Sequence, residues 1–138
     1  LFYPMTRLKK PWMLKQRIII TMNKDREKAI RKTVKSYFLG LHHGDTERLK
    51  GTFSLDCVLK APGLRRDMAT WLSLVSERAV PAEKGDPFHY KILSVDILGE
   101  QAMVKVYCPL LGRHYVDYLG LLFEHGRWRI VNKMYADA

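Results

Sequence analysis

The sequence predicts an α+β domain in which N-terminal helices pack in the curve of an antiparallel sheet. Three observations carry that prediction. Helical apolar spacing fills the first third of the chain, four long strand-like runs fill the second half, and the last two runs are joined by His125-Gly126. That dipeptide suits a two-residue hairpin turn, because it includes a residue that tolerates the left-handed backbone.

Taken in order, Ile30, Val34, Tyr37, Phe38 and Leu41 recur at helical spacing between lysines and arginines, predicting a helix over 23–43. Gly44 supplies its stop, and Asp45 can cap a short second helix over 46–50. Phe53 to Leu59 reads as a short strand, and Pro62-Gly63 turns the chain. Met68, Trp71, Leu72 and Val75 form a third helix with Asp67 as N-cap. A Pro/Gly loop over 80–87 leads to strands at 88–98, 101–108, 113–123 and 127–135. Gly99-Glu100 and Leu110-Leu111-Gly112 supply the first two hairpin turns.

The 138 residues are enough for one domain with one core. Half of the net charge of +10 lies in Arg7, Lys9, Lys10, Lys15 and Arg17, with no acid among residues 1–21. The rest is scattered, with no Arg-Gly repeat or aromatic ladder, so nucleic acid is not the expected partner. The apolar runs Trp12-Met13-Leu14 and Ile18-Ile19-Ile20 are too short to span a membrane, and a membrane is not an expected partner either. The chain begins at Leu1, and Met5 and Met22 both read as starts. Residues 1–22 are therefore expected to be a basic, disordered leader or an over-extended start, with the domain at 23–138. Cys57 and Cys108 read as reduced, buried thiols, which suits a cytoplasmic protein.

In the last hairpin a two-residue turn pairs Glu124 with Arg127, Phe123 with Trp128, Leu121 with Ile130 and Leu119 with Asn132. Alternation then puts Asp117, Leu119, Leu121, Phe123, Trp128, Ile130 and Asn132 on one largely apolar face, and Arg129 and Lys133 on the other. Asp117 and Asn132 form the polar end of that face, and buried polar groups need partners or a ligand. A register shift of one residue would instead bring Asp117 and Lys133 together. Asp56 reads as a turn cap or a pocket acid, and Asp96 as a solvated edge charge. His42-His43 precedes Gly44, but adjacent helical histidines point apart and favour the helix dipole over a metal. No metal and no cofactor is expected, and no nucleophile or phosphate-loop motif is present.

The segments Tyr37-Phe-Leu-Gly-Leu-His-His-Gly44-Asp45, Leu49 with Phe53, Lys91 to Gly99, Asp117-Tyr118-Leu119 and Gly126-Arg-Trp128-Arg-Ile-Val-Asn132-Lys133 resemble the nuclear transport factor 2-like superfamily. More closely they resemble its putative lumazine-binding branch, near the polyketide-cyclase-like and ketosteroid isomerase-like groups. The resemblance covers about 23–135 and implies a cone-shaped, cystatin-like half-barrel with a pocket between sheet and helices, often dimeric. Members of the superfamily include isomerases, cyclases, dehydratases and non-catalytic binders, so fold does not fix function. Where the family often has Phe-His-Pro-Asp-Ala, this chain has Phe53-Ser-Leu-Asp56-Cys57. Ketosteroid isomerase, a standard case of an aspartate base with an oxyanion hole, allows a residue-level test. Tyr37 matches its oxyanion tyrosine, seven residues before Gly44-Asp45. The base falls at Ala61, however, and the second oxyanion acid at Tyr118 or Leu119, so that mechanism does not carry over.

Three functions remain open. The first is a small-molecule-binding domain whose apolar pocket is lined by Tyr37, Phe53, Trp71, Asp117, Leu119 and Asn132 and takes a small hydrophobic or aromatic ligand. The second is a scaffold or interaction module with a vestigial pocket, dimeric through the outer face of the sheet, where Tyr118, Leu122 and Val131 supply a second apolar side. The third is a lyase or isomerase with Asp117 as acid–base residue and Tyr37 or Asn132 stabilising an oxyanion.

Overall fold

A computed structural model of the protein describes residues 11–138. Helix α1 runs Pro11–His43, beginning at Pro11 rather than at Asn23. Its apolar stripe of Ile30, Val34, Tyr37, Phe38 and Leu41 is buried as the periodicity requires. The first turns, through Ile20, are exposed, Trp12 and Ile18 included. Helical continuity there owes nothing to packing against the core, so apolar periodicity could not report it. The expectation for residues 1–10 lies outside the described residues.

Gly44 ends α1 in the left-handed region at φ +58°, and Asp45 N–H closes the turn on Gly40 O at 2.9 Å. Asp45 then caps α2 (Thr46–Thr52), its carboxylate accepting from Arg48 N–H at 3.0 Å. Strand β1 (Phe53–Ala61) follows, and Pro62-Gly63 turns it into a short partner, β2 (Leu64–Asp67), with Ala61 opposite Leu64. Four residues with two arginines show no period, so β2 was not legible in the sequence. Asp67 caps α3 (Met68–Glu77) by accepting from Thr70 N–H at 2.8 Å. A loop anchored by Ala82 N–H on His42 O leads to β3 (Lys91–Leu98), β4 (Gln101–Leu110), β5 (Arg113–Glu124) and β6 (Arg127–Asp137). His125 and Gly126 both have positive φ, as the last turn demands.

The six strands form one curved, unclosed sheet in the order β2-β1-β6-β5-β4-β3. The meander β3 to β6 is antiparallel, while β1 joins β6 in parallel. The buried part of α1, with α2 and α3, packs against this sheet, giving the cone-shaped α+β half-barrel. Ile30, Tyr37, Phe53, Trp71, Val104 and Ile130 are among the buried residues where helices meet sheet.

One irregularity decides which side chains reach the interior. Glu124 pairs with Arg127, Phe123 with Trp128 and Leu121 with Ile130, as the turn predicts. A bulge at Val131 then places Gly120 opposite Asn132 and Leu119 opposite Lys133. The extra residue reverses alternation, so Lys133 turns inward and is buried, while Asn132 turns to the outer side. The expected pairing of Leu119 with Asn132, and the outward Lys133, are corrected on that ground. Asp56 is exposed along β1, neither capping a turn nor entering the interior, because β1 carries its own register irregularity between Phe53 and Val58.

Candidate functional site

The interior of the cone holds a small cavity of about 60 Å³. Its buried floor comes from α1 (Tyr37, Leu41), β1 (Leu59), β4 (Cys108) and β5 (Asp117). Trp71 from α3 and Lys133 from β6 complete the buried wall, and half-buried Arg66, Arg78, Tyr115 and Tyr135 lie toward solvent.

Asp117 is the centre of the polar chemistry. It is 1% exposed, on the inner face that alternation assigns to it. Tyr37 Oη donates to Asp117 Oδ2 at 2.7 Å across 80 residues of sequence. Cys108 Sγ donates to the same oxygen at 3.6 Å. Oδ1 has no hydrogen-bond partner, although it is buried. An ionised carboxylate can accept several bonds, and leaving one oxygen unmet in a dry interior is costly.

Burial pushes the Tyr37 phenol well above its ordinary value, and the neighbouring Asp117 and Cys108 push it further. Burial and Asp117 raise the Cys108 thiol in the same way. Both are therefore protonated donors at neutral pH. Tyr37 is fixed beneath the cavity by an edge-to-face contact with Phe53 at 5.4 Å, and Phe53 packs on Trp71 at 5.0 Å.

Cations line the same cavity as this carboxylate without pairing with it. Lys133 is buried, and its Nζ lies over Tyr37 at 5.3 Å, Trp71 at 4.8 Å and Tyr135 at 5.3 Å, an aromatic cage for an ammonium. Arg78, just past α3, has its Nη2 buried and unsatisfied, and burial pushes its guanidinium down. Arg66, from β2, donates to Tyr135 Oη at 3.4 Å. The ion pairs among the described residues, Arg31–Glu27, Arg48–Asp45 and Arg113–Asp137, are all exposed and involve none of these three cations.

Of the residues expected to line the pocket, Tyr37, Trp71 and Asp117 meet at the cavity. Phe53 and Leu119 are buried behind it, supporting the wall without lining it. Asn132 is absent from it. The bulge turns its side chain to the outer face, where it accepts from Lys60 Nζ at 2.6 Å. Asn132 therefore cannot stabilise an oxyanion beside Asp117, and Tyr37 spends its one hydroxyl proton on Asp117. The lining is also more polar than expected, since Arg66, Arg78 and Lys133 share it. Strict alternation along β4 and β5 could have placed Cys108, Leu110 and Tyr115 beside Asp117. Nothing in the sequence signals the bulge or the approach of the α3 end.

His42, at the end of α1, pairs through Nδ1 with Tyr90 Oη at 3.1 Å, while His43 is exposed. Among the described residues no group of three or more His, Cys, Asp and Glu converges as a metal site. No helix among them is long and apolar enough to cross a membrane.

A family profile described as putative lumazine-binding matches residues 25–136. Among solved structures, the chain is similar to a nuclear transport factor 2-like protein of unknown function from Silicibacter pomeroyi. The two share 28% identity over 84% of this chain and 98% of that one, with a TM-score of 0.74. A second such protein of unknown function, from Shewanella baltica, shares 20% identity over 83% and 94%, with a TM-score of 0.71. A de novo designed protein with a curved β-sheet shares the fold at 12% identity, covering 82% of this chain and 98% of its own, with a TM-score of 0.58. No curated protein matches.

Proposed function

The chain belongs to the putative lumazine-binding family of the nuclear transport factor 2-like superfamily, and from that premise we propose that it is a small-molecule-binding domain whose site is the cavity around Asp117. One observation carries this reading: a buried carboxylate oxygen and a buried guanidinium nitrogen, Asp117 Oδ1 and Arg78 Nη2, both stand unsatisfied on residues lining one cavity. Native interiors leave few such atoms unpaired, and those that remain call for an explanation. A ligand offering a donor to one and an acceptor to the other would supply it. The family's description names a pteridine, but we carry over the binding class and not that ligand.

Binding accounts for the geometry better than catalysis does. Asp117 has a free oxygen for proton transfer, but the oxyanion donors expected of an isomerase are turned away or already engaged. The size of the cavity favours a second reading, a dimeric scaffold whose pocket is vestigial, with the Lys133 side chain filling the aromatic cage. The free buried thiols Cys57 and Cys108 fit a reducing compartment under either reading.

The test is a fragment screen followed by NMR. Ligands should shift the Trp71 indole, Tyr135 and Lys133 signals and leave the outer face of the sheet unmoved. Shifts confined to the outer face, or no cavity signal moved by any fragment, would favour the scaffold.

A further inference from the structure

We infer that this cavity selects a small organic anion: a carboxylate that also carries a hydroxyl or N–H donor a few atoms away. The inference rests on the binding reading above and adds the chemical class of the ligand.

The charges that line the cavity are unbalanced. Arg66, Arg78 and Lys133 contribute three cations, and Asp117 is the one carboxylate among the lining residues. Charges withdrawn from water are normally paired, because desolvation otherwise costs several kcal/mol. Asp117 does not neutralise these cations, since it forms no salt bridge with any of them and its Oδ2 is taken by Tyr37 and Cys108. Lys133 has aromatic faces in place of a counter-ion. Arg78 has neither, and its Nη2 points at no acceptor. A ligand carboxylate answers this surplus, and guanidinium is the side chain best shaped to hold one.

Charge alone would admit chloride or acetate. Asp117 Oδ1 narrows the choice, because this buried carboxyl oxygen is left without a hydrogen-bond donor. A bare anion placed near it meets repulsion, whereas an anion with its own donor satisfies the last unpaired oxygen. The cavity of about 60 Å³ suits a small ligand. The structure thus asks for negative charge at one end and a donor at the other, on a frame of the size of a small hydroxy acid.

The experiment titrates the full chain by NMR with four probes: glycolate, acetate (no donor), glycolamide (no charge) and ethylene glycol (neither charge nor carbonyl). Glycolate should move the Trp71 indole and Tyr135 signals and bind at least about tenfold tighter than acetate or glycolamide, the factor expected for one charge-assisted hydrogen bond. Arg78→Met should weaken glycolate by a similar factor and glycolamide by clearly less, because an amide carbonyl accepts without charge assistance. Arg66→Met, on a half-exposed side chain, repeats the test where folding is not at risk. If glycolamide binds as well as glycolate at the same signals, the anion class is overturned while the binding reading stands. If acetate matches glycolate, the donor requirement is overturned. If no probe moves a cavity signal at tens of millimolar, the inference fails. The binding reading then fails with it only if the broader fragment screen is also silent.

Discussion

At the residue scale the account turns on Tyr37, Asp117 and Lys133. Tyr37 and Asp117 were legible early, one as an aromatic on an apolar helical stripe and the other as an acid on an apolar strand face. Their meeting was expected, but their direct bond at 2.7 Å was not. Removing that donor strands the Asp117 oxygen with a weak thiol donor. Tyr37→Phe should therefore lower unfolding free energy by about 1–3 kcal/mol, measured by urea denaturation; an unchanged midpoint would mean the bond contributes nothing net. The thiols give a second check. Burial holds Cys57 up at about 11 and raises Cys108 further. Neither should react with a charged disulfide reagent at neutral pH until the protein unfolds. Rapid native modification of either would contradict its placement.

His42 supplies a pH dependence with a definite sign. Burial, with His43 beside it, pushes His42 below its ordinary value of 6.5. The unfolded chain therefore takes up the proton first as pH falls. The contribution of His42 to stability is present above pH 6.5 and is lost on acidification below it. Thermal melts of His42→Gln should decline less between neutral and mildly acidic pH than those of the unchanged protein. Parallel declines would assign the acid sensitivity to other groups.

At the scale of elements, the long periodic pieces were readable and the irregular ones were not. Helix α1 beyond Asn23, α3 and the three hairpin turns follow from apolar spacing, N-caps and turn dipeptides. Strand β2 is too short for a period, and the Val131 bulge leaves no mark that alternation can detect. That bulge reversed Asn132 and Lys133 and so changed the candidate site from apolar to cationic. Helix packing offers its own test at Gly40. A Cβ there would stand 2.5 Å from Leu49 Cδ2 and 2.7 Å from its Cγ. Helices α1 and α2 can approach this closely only because the side chain is missing. Gly40→Ala should cost about 1–3 kcal/mol through overpacking, despite alanine's better helix propensity. A stabilised variant would show that α2 shifts freely.

At the scale of the molecule, the fold class was legible because helices precede a long meander and because Gly126 to Lys133 carries the family resemblance. The candidate site was less legible, since it joins Tyr37 of α1 to charges from β2, the end of α3, β5 and β6. Outside the cavity the sheet exposes Met103, Tyr118 and Met134. We propose that this outer face joins two copies, and sedimentation equilibrium should show a dimer that Tyr118→Lys dissociates. A concentration-independent monomer would refute it. The central claim is that the interior is kept polar for a ligand at some expense in stability. Native mass spectrometry of the purified protein beside Tyr37→Phe/Asp117→Leu tests this most directly. The double variant removes both partners of the buried bond, and its urea unfolding transition, recorded alongside, establishes that it folds. The account predicts a bound small molecule on the unaltered protein and a clearly smaller bound fraction on the folded double variant. Identical spectra, with the same small molecule on both or none on either, would contradict it.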